Sequence, residues 1–263
     1  MIGFIGLGNM AQAIIGGILS KGVISEGGVI GYDSAATARN TAAEKYGIAL
    51  AVDNKDVVEQ ADTVILAVKP QVIETVIKEI SPVASEETLF ISIAPGKSIA
   101  WITESFGKKV RIIRCMPNTP ALAGAGMTGF CLSDNVTAED KERAIEILNS
   151  FGRAEEVPEH LMAAVTSVSG SAPAYVFILI EAMADQAVAD GMNRKQAYEF
   201  AAQAVMGSAK LMLDTGKHPG ELKDMVCSPA GTTIEAVKVL ERSGFRAAVQ
   251  DAMSACTEKA EKM

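Results

Sequence analysis

Histidine is scarce in this chain; His160 and His218 are the only two. The four cysteines, Cys115, Cys131, Cys227 and Cys256, lie far apart and show no C-x-x-C spacing. These absences leave no metal-ligand cluster to read and no disulfide framework. The cysteines read instead as small buried residues in a reducing compartment. Basic residues are outnumbered, with 24 Lys and Arg against 32 Asp and Glu and a formal net charge of −8. That balance argues against non-specific nucleic-acid binding, whose affinity comes from Lys and Arg on phosphates. It does not exclude an anionic substrate, because backbone N–H groups can hold one carboxylate. Long apolar runs are missing as well. The longest, residues 174–180, is far too short to span a bilayer. No basic segment precedes the first apolar run, so no secretory signal is expected and the cytoplasm is the expected compartment.

What is present begins at once. The run Ile2-Gly3-Phe4-Ile5 reads as a buried strand and enters Gly6-Leu7-Gly8-Asn9-Met10-Ala11, followed by an Ala- and Ile-rich helix to residue 20. In that strand-turn-helix setting, G-x-G-x-x-A indicates a dinucleotide site. Gly6 makes the tight turn, Gly8 lets the backbone approach a pyrophosphate, and Ala11 lets the helix sit close on the strand. The first helical N–H groups, with Asn9 and Met10, face the phosphate charge. A second strand, 29–32, ends at Asp33. An acid there can bond the ribose hydroxyls of NADH and repel a 2′-phosphate, or it can cap the helix that follows. Arg39 could instead meet a 2′-phosphate, so NADPH and NADH both remain open.

Strands are expected at 48–52, 62–68, 88–93, 110–115 and 124–132, with helices starting at Asn54, Ile99 and Thr137. Thr137 and Asp140 form a capping pattern. The loop Lys69-Pro70 follows one strand, and Met116-Pro117-Asn118-Thr119-Pro120 follows another, both at the carboxyl edge where such sheets bind ligands. Asn118 carries a donor and an acceptor that could orient a nicotinamide amide or a substrate, or it could form an Asx-turn before proline. Residues 1–156 therefore alternate β and α, which implies an open, mostly parallel sheet with helices on both faces. Residues 157–263 show only helical spacing, as in Val176, Leu179, Ile180, Met183 and Ala187. Residues 171–180 carry no charge, so this helix is expected to be buried on every side, at a subunit interface or in the core of one chain. Glu181 and Asp185, one turn apart on it, read as solvated.

The remaining site-like stretch is Cys227-Ser228-Pro229-Ala230-Gly231-Thr232-Thr233-Ile234, which leads into a helix over 232–241. N–H groups at that helix start, beside the hydroxyls of Ser228, Thr232 and Thr233, would form a carboxylate-sized pocket. The plainer reading is an N-cap supplied by Thr232 or Thr233.

Several of these segments, in this order and across essentially the whole chain, resemble pyrroline-5-carboxylate reductases. The resemblance rests on Gly3-Phe4-Ile5-Gly6-Leu7-Gly8-Asn9-Met10-Ala11, Ala67-Val68-Lys69-Pro70-Gln71 and Arg114-Cys115-Met116-Pro117-Asn118-Thr119-Pro120-Ala121. It continues through Ser169-Gly170-Ser171-Ala172-Pro173-Ala174-Tyr175, His218-Pro219-Gly220-Glu221-Leu222 and Ser228-Pro229-Ala230-Gly231-Thr232-Thr233-Ile234. It implies a Rossmann domain over 1–156 and a helical, dimer-forming domain over 157–263, with higher assembly in some members. It also implies hydride transfer from NADPH or NADH to the C=N carbon of 1-pyrroline-5-carboxylate, giving L-proline.

By the same resemblance, Ser228, Gly231, Thr232 and Thr233 hold the substrate carboxylate, and Thr233 is the catalytic residue near the ring nitrogen. The cofactor side is lined by Gly6, Gly8, Asn9, Met10, Asp33, Asn54, Ala67, Val68, Lys69, Pro70 and Asn118. No metal is implied. An imine accepts hydride readily once its nitrogen is protonated, so positioning matters more than a strong base. Three positions depart from the family pattern: Pro95 where a small residue is usual, and Ala172 and Ala230 where glycine is usual. Alanine at 230 is strained if that position needs a positive φ. Other readings are a reductase of another cyclic imine, a 3-hydroxyacid dehydrogenase, and a non-catalytic dinucleotide sensor. The dehydrogenase needs a general base, and the helix over 171–180 has no lysine to supply it.

Overall fold

All four residues of β1 (Ile2–Ile5) are buried. A strand buried on both faces belongs inside a parallel sheet covered by helices. The structure, a computed structural model, describes residues 1–263 apart from the side chain of Glu26. After β1 come α1 (Asn9–Ser20), β2 (Val29–Tyr32), α2 (Ala36–Tyr46), β3 (Ala49–Leu50), α3 (Asn54–Gln60), β4 (Thr63–Leu66) and α4 (Ile73–Ile80). Then follow β5 (Leu89–Ser92), α5 (Ile99–Phe106), β6 (Arg111–Met116), β7 (Gly126–Leu132), α6 (Ala138–Asn149) and β8 (Gly152–Glu156). The eight strands form one sheet in the order β3-β2-β1-β4-β5-β6-β7-β8. Only β6 and β7 run antiparallel. The open, mostly parallel sheet expected from the sequence is present.

Each face of the sheet carries its own core. Ile14 and Ile18 of α1 and Ile147 and Leu148 of α6 pack on one face with Phe4 and Phe130. Val57 of α3, Ile77 of α4 and Ile102 of α5 pack on the other with Ile5 and Phe90. The capping box of α6 forms as expected, with Thr137 Oγ1 accepting from the Asp140 N–H at 3.1 Å and Asp140 Oδ2 accepting from the Thr137 N–H at 2.9 Å. All four cysteines are free. Burial pushes the Cys131 thiol up to about 11 and raises Cys115 further, which leaves both unreactive near neutral pH.

Three elements differ from expectation. The strand expected over 48–52 shrinks to Ala49–Leu50, because it is a sheet edge and Val52 beyond it is 80% exposed. β8 is a polar edge strand with no apolar alternation to mark it. α4 was marked by Ile73, Val76, Ile77 and Ile80, a helical spacing that the sequence reading passed over.

Beyond the sheet the described chain is helical. A 3-10 turn (Glu159–Leu161), α7 (Met162–Val165), a π-helical turn (Thr166–Gly170) and α8 (Ala172–Ala189) follow one another. After them come α9 (Arg194–Thr215), α10 (Pro219–Val226), α11 (Thr232–Arg242) and α12 (Phe245–Glu261). The chain forms two compact units, Met1–Ser171 with Cys256–Met263, and Ala172–Ala255. The sheet ends at Glu156, where the sequence places a domain boundary, but the next residues stay with the sheet unit. Hydrogen bonds fasten them there: Thr257 Oγ1 donates to Ser167 Oγ at 2.9 Å, and the Cys256 thiol lies 3.3 Å from Ser171 Oγ.

The helix expected to be buried on every side is not buried within one chain. Phe177 and Ile178 of α8 are 64% and 66% exposed, so a core of this chain alone is not what covers them. The continuous helical stretch Glu159–Ala189, 31 residues, is also long and apolar enough to cross a membrane by length and composition, which the short run 174–180 did not suggest. Asp185 on this helix is ion-paired with Arg194.

Between α10 and α11, Ala230 has φ +58°, and it is the one non-glycine residue with positive φ among those described. The left-handed region costs an L-residue about 1–2 kcal/mol, of which glycine's extra chain entropy takes back ~0.5–1. Ala230→Gly is therefore expected to raise the midpoint of thermal unfolding by about 1–3 °C. A lower midpoint would show that the loop is relaxed with alanine in place.

Candidate functional site

The strand order reverses between β1 and β4, because β1 is flanked by β2 on one side and by β4 on the other. Ligands of open α/β sheets bind at such a switch point, beyond the carboxyl ends of the strands. The glycine turn lies there. The Gly6 N–H donates to Tyr32 C=O at the end of β2, and the Ala67 N–H donates to Ile5 C=O, both at 2.8 Å. Gly6 has φ +94°, and a Cβ on it would stand 2.6 Å from the Ala67 oxygen and 3.1 Å from a Val68 methyl. Gly8 is the opposite case, because a Cβ there would meet nothing within 4 Å. It is the backbone N-cap of α1, with no side chain capping it and no acid in the first turn. An open space before uncapped helical N–H groups is what a pyrophosphate requires.

The middle of the turn is held at both ends. The Leu7 N–H donates to Asp33 Oδ2 at 2.8 Å, and Leu7 C=O accepts from Gln12 Nε2 at 3.0 Å. Asp33 Oδ1 accepts from the Ala35 N–H at 2.9 Å. Asp33 is thus an Asx-turn and a brace for the glycine turn; the N-cap of α2 is Ala35, without a side-chain bond. Two backbone donors leave lone pairs on its carboxylate for other partners. Arg39 Nη1 donates to Asp33 C=O at 2.5 Å and to Ser34 C=O at 3.2 Å, and its guanidinium lies over the Tyr32 ring. Gln12 is a residue that sequence reasoning missed. Its signal was an amide side chain one turn into an otherwise Ala- and Ile-rich helix.

Of the other expected residues, Gly6, Gly8, Asn9, Met10, Asp33, Ala67 and Val68 come together around the turn. Lys69 is exposed beyond them and Pro70 partly buried. Asn54 starts α3, and its amide donates to Glu79 Oε2 at 2.9 Å rather than to anything at the turn. Asn118 forms no Asx cap; its amide bonds Met127 and Ser169. Glu159, absent from the sequence reading, accepts from the Ile99 N–H at 2.8 Å and from Arg114 Nη1 at 2.9 Å, tying the start of α5 to β6. Among the described residues, no group of three or more His, Cys, Asp or Glu side chains could hold a metal ion.

The helical unit carries the other stretch. α11 is capped by the Gly231 backbone, with no side-chain cap. Thr232 and Thr233 are therefore its first two residues, and the capping role expected of one of them is not taken. The Gly231 N–H donates to Ser228 C=O at 3.0 Å, which closes the turn before the helix. The first-turn N–H groups of Thr232, Thr233 and Ile234 have no helical carbonyl behind them. At α10, His218 is the N-cap, with Nδ1 accepting from the Gly220 N–H at 3.1 Å.

Comparison with known proteins adds to this geometry. Residues 159–263 match the family model described as pyrroline-5-carboxylate reductase dimerisation. Residues 1–96 match one described as NADP oxidoreductase, coenzyme F420-dependent. The pyrroline-5-carboxylate reductase of Escherichia coli K12 is 50% identical over 100% of this chain and 97% of its own. A solved pyrroline-5-carboxylate reductase from Coxiella burnetii is 34% identical with a TM-score of 0.93, covering 99% of this chain and 97% of that one. A Plasmodium falciparum pyrroline carboxylate reductase solved with NADP bound is 31% identical with a TM-score of 0.90, over 99% and 97% of the two chains. With relatives this similar along its whole length, the chain belongs to the pyrroline-5-carboxylate reductase family.

Proposed function

We propose that the glycine turn of the sheet unit holds NADPH or NADH, and that the start of α11 holds the carboxylate of 1-pyrroline-5-carboxylate, in the reduction of that imine to L-proline. The observation that carries this reading is the start of α11. Its backbone cap leaves the hydroxyls of Thr232 and Thr233 and three first-turn N–H groups to a ligand. These donors are neutral, so they stabilise a carboxylate without the desolvation cost of a buried cation.

A reduced nicotinamide held there would supply a hydride to the carbon of the C=N bond. The π pair moves to the ring nitrogen, which enters the step protonated and ends as the amine of proline. Ser228, Gly231 and Thr232 shape the carboxylate pocket, and Thr233 places its hydroxyl at the ring nitrogen. Gly6, Gly8, Asn9 and Met10 hold the pyrophosphate, and Ala67, Val68, Lys69, Pro70 and the loop that carries Asn118 border the nicotinamide. Asn54 stands at the adenosine end. Asp33 keeps lone pairs for a ribose hydroxyl beside a negative charge that opposes a 2′-phosphate. Four free cysteines suit the reducing cytoplasm.

The exposed apolar residues of α8 and α9 we assign to contact with a second copy of the chain. Phe177, Ile178, Phe200 and Met206 are all more than half exposed in the single chain. Exposed apolar surface of this extent marks an interaction site. The matched dimerisation model spans both helices, and an isologous two-fold pairing is the simplest closure.

Three experiments test these roles. Oxidation of NADPH and of NADH is followed with 1-pyrroline-5-carboxylate, for the wild type and for Thr233→Ala. Rapid oxidation by the wild type is expected, with kcat/KM about 10- to 100-fold lower in the variant, as for one lost hydrogen bond to a charged group. Equal kinetics would remove Thr233 from the site. In the same assay Asp33→Asn is expected to shift the kcat/KM ratio toward NADPH by about tenfold, while raising KM for both cofactors because the brace on Leu7 weakens. An unchanged ratio would leave Asp33 as a brace alone. Sedimentation should give twice the chain mass, and Ile178→Asp should lower it; a wild-type monomer would refute the pairing.

A further inference from the structure

Asn118, on the loop after β6, is bonded on both sides of its amide. Oδ1 accepts from the Met127 N–H at 2.8 Å, and Nδ2 donates to Ser169 C=O at 3.2 Å and to Ser169 Oγ at 3.3 Å. The Ser169 carbonyl has a particular need for that donor. In an α-helix it would accept from the N–H of residue 173, four positions on. Residue 173 is proline and has no N–H. The chain takes a π-helical turn over Thr166–Gly170 just before this point, where the Ser171 N–H reaches back to Thr166 C=O at 2.8 Å. Such turns collect at functional sites, where they aim groups that a regular helix would hide.

We infer that Asn118 is a positioning residue for hydride transfer. It supplies the donor that Pro173 withholds from Ser169, and so fixes the π turn against the loop that borders the nicotinamide. Its side-chain amide does not hold the nicotinamide itself. Both functions of that amide are already engaged within the protein. The inference rests on the reductase reading and refines the role of one residue in it. Proline at 173 and asparagine at 118 form a matched pair: one removes a backbone donor, the other replaces it from 55 positions away by the register of the fold, ~55 being their separation in sequence.

The test compares the wild type, Asn118→Ala, Asn118→Asp and the double variant Asn118→Ala/Pro173→Ala. Turnover of 1-pyrroline-5-carboxylate with NADPH is measured, together with NADPH binding to the free enzyme by fluorescence titration. The aspartate is nearly isosteric and keeps the acceptor for Met127, but it sets a carboxylate oxygen against the Ser169 carbonyl, so it replaces the donation to Ser169 by repulsion. Both single variants are expected to lose kcat by about 10- to 100-fold, the cost of a misplacement on the order of 1 Å. Their Kd for NADPH should stay within about twofold of wild type, since no cofactor contact is lost. Restoring an N–H at position 173 should recover several-fold of the lost kcat in the double variant, on the order of one backbone hydrogen bond. Weaker NADPH binding with unchanged kcat would overturn the inference in favour of a direct cofactor contact. Unaffected turnover in both single variants, or no recovery in the double variant, would overturn it too. A wild type that oxidises neither cofactor would overturn the reductase reading itself, and this inference with it.

Discussion

The peptide of Leu7 is held from both sides, its N–H by Asp33 and its C=O by Gln12. Much else in the sheet unit depends on that constraint. A turn of Gly6, Leu7 and Gly8 has little intrinsic order, because glycine loses more chain entropy on folding than any other residue. Two hydrogen bonds to partly buried side chains, with the Leu7 side chain itself fully buried, remove that freedom before any ligand arrives. The result is a preorganised cradle, in which binding does not have to supply the cost of ordering the loop. The brace also couples β2 to α1. Asp33 ends the second strand and Gln12 lies on the first helix, so the cradle is fixed to both elements that the strand order brings together.

The helical unit follows a different logic. The described residues of Ala172–Ala255 bury few large side chains, and Ala184, Ala197 and Ala201 are its buried apolar residues. A unit packed through alanines brings helices close but covers little apolar area, at ~25 cal/mol for each Å² removed from water. Its larger side chains point outward instead. Such a unit gains most of its stability when a second surface covers those side chains, which links folding to association.

Local features of this fold were legible in the sequence, and non-local ones were not. α5 (Ile99–Phe106) and the Thr137–Asp140 capping box are encoded within a few residues of where they act, and both form as read. The strand 29–32 likewise announces itself by an apolar run. β8 carries no such run because it is a sheet edge, paired through backbone rather than side chains. The lack of charge over 171–180 was legible, but burial is a property of the assembly, and no pattern in one chain says what covers a helix. In the candidate site, Gly6, Gly8 and Asp33 could be read from motif chemistry, whereas 228–233 read more plainly as an N-cap and entered through the family resemblance. The strain at Ala230 was legible too, as a usual glycine position occupied by alanine, and the positive φ is there. The bonds of Asp33 to Leu7 and of Asn118 to Ser169 were not, since hydrogen bonds across 26 and 51 positions depend on register and loop path.

The chain carries a formal charge of −8, yet its reaction requires it to hold a pyrophosphate and a carboxylate. Cationic clusters would serve at the price of burying lysine or arginine away from water. The sequence takes the neutral course at both places. α1 and α11 each begin at a glycine with no side-chain cap. A serine or aspartate at either cap would stabilise the helix by about a few tenths of a kcal/mol over glycine, and it would occupy the N–H groups that the proposed anion sites offer. Leaving both caps bare costs helix stability and keeps those donors for the ligand. Bare starts also occur at α2 and α4, at Ala35 and Val72, but α1 and α11 combine the bare cap with a glycine, and these are the two starts proposed to take the anions.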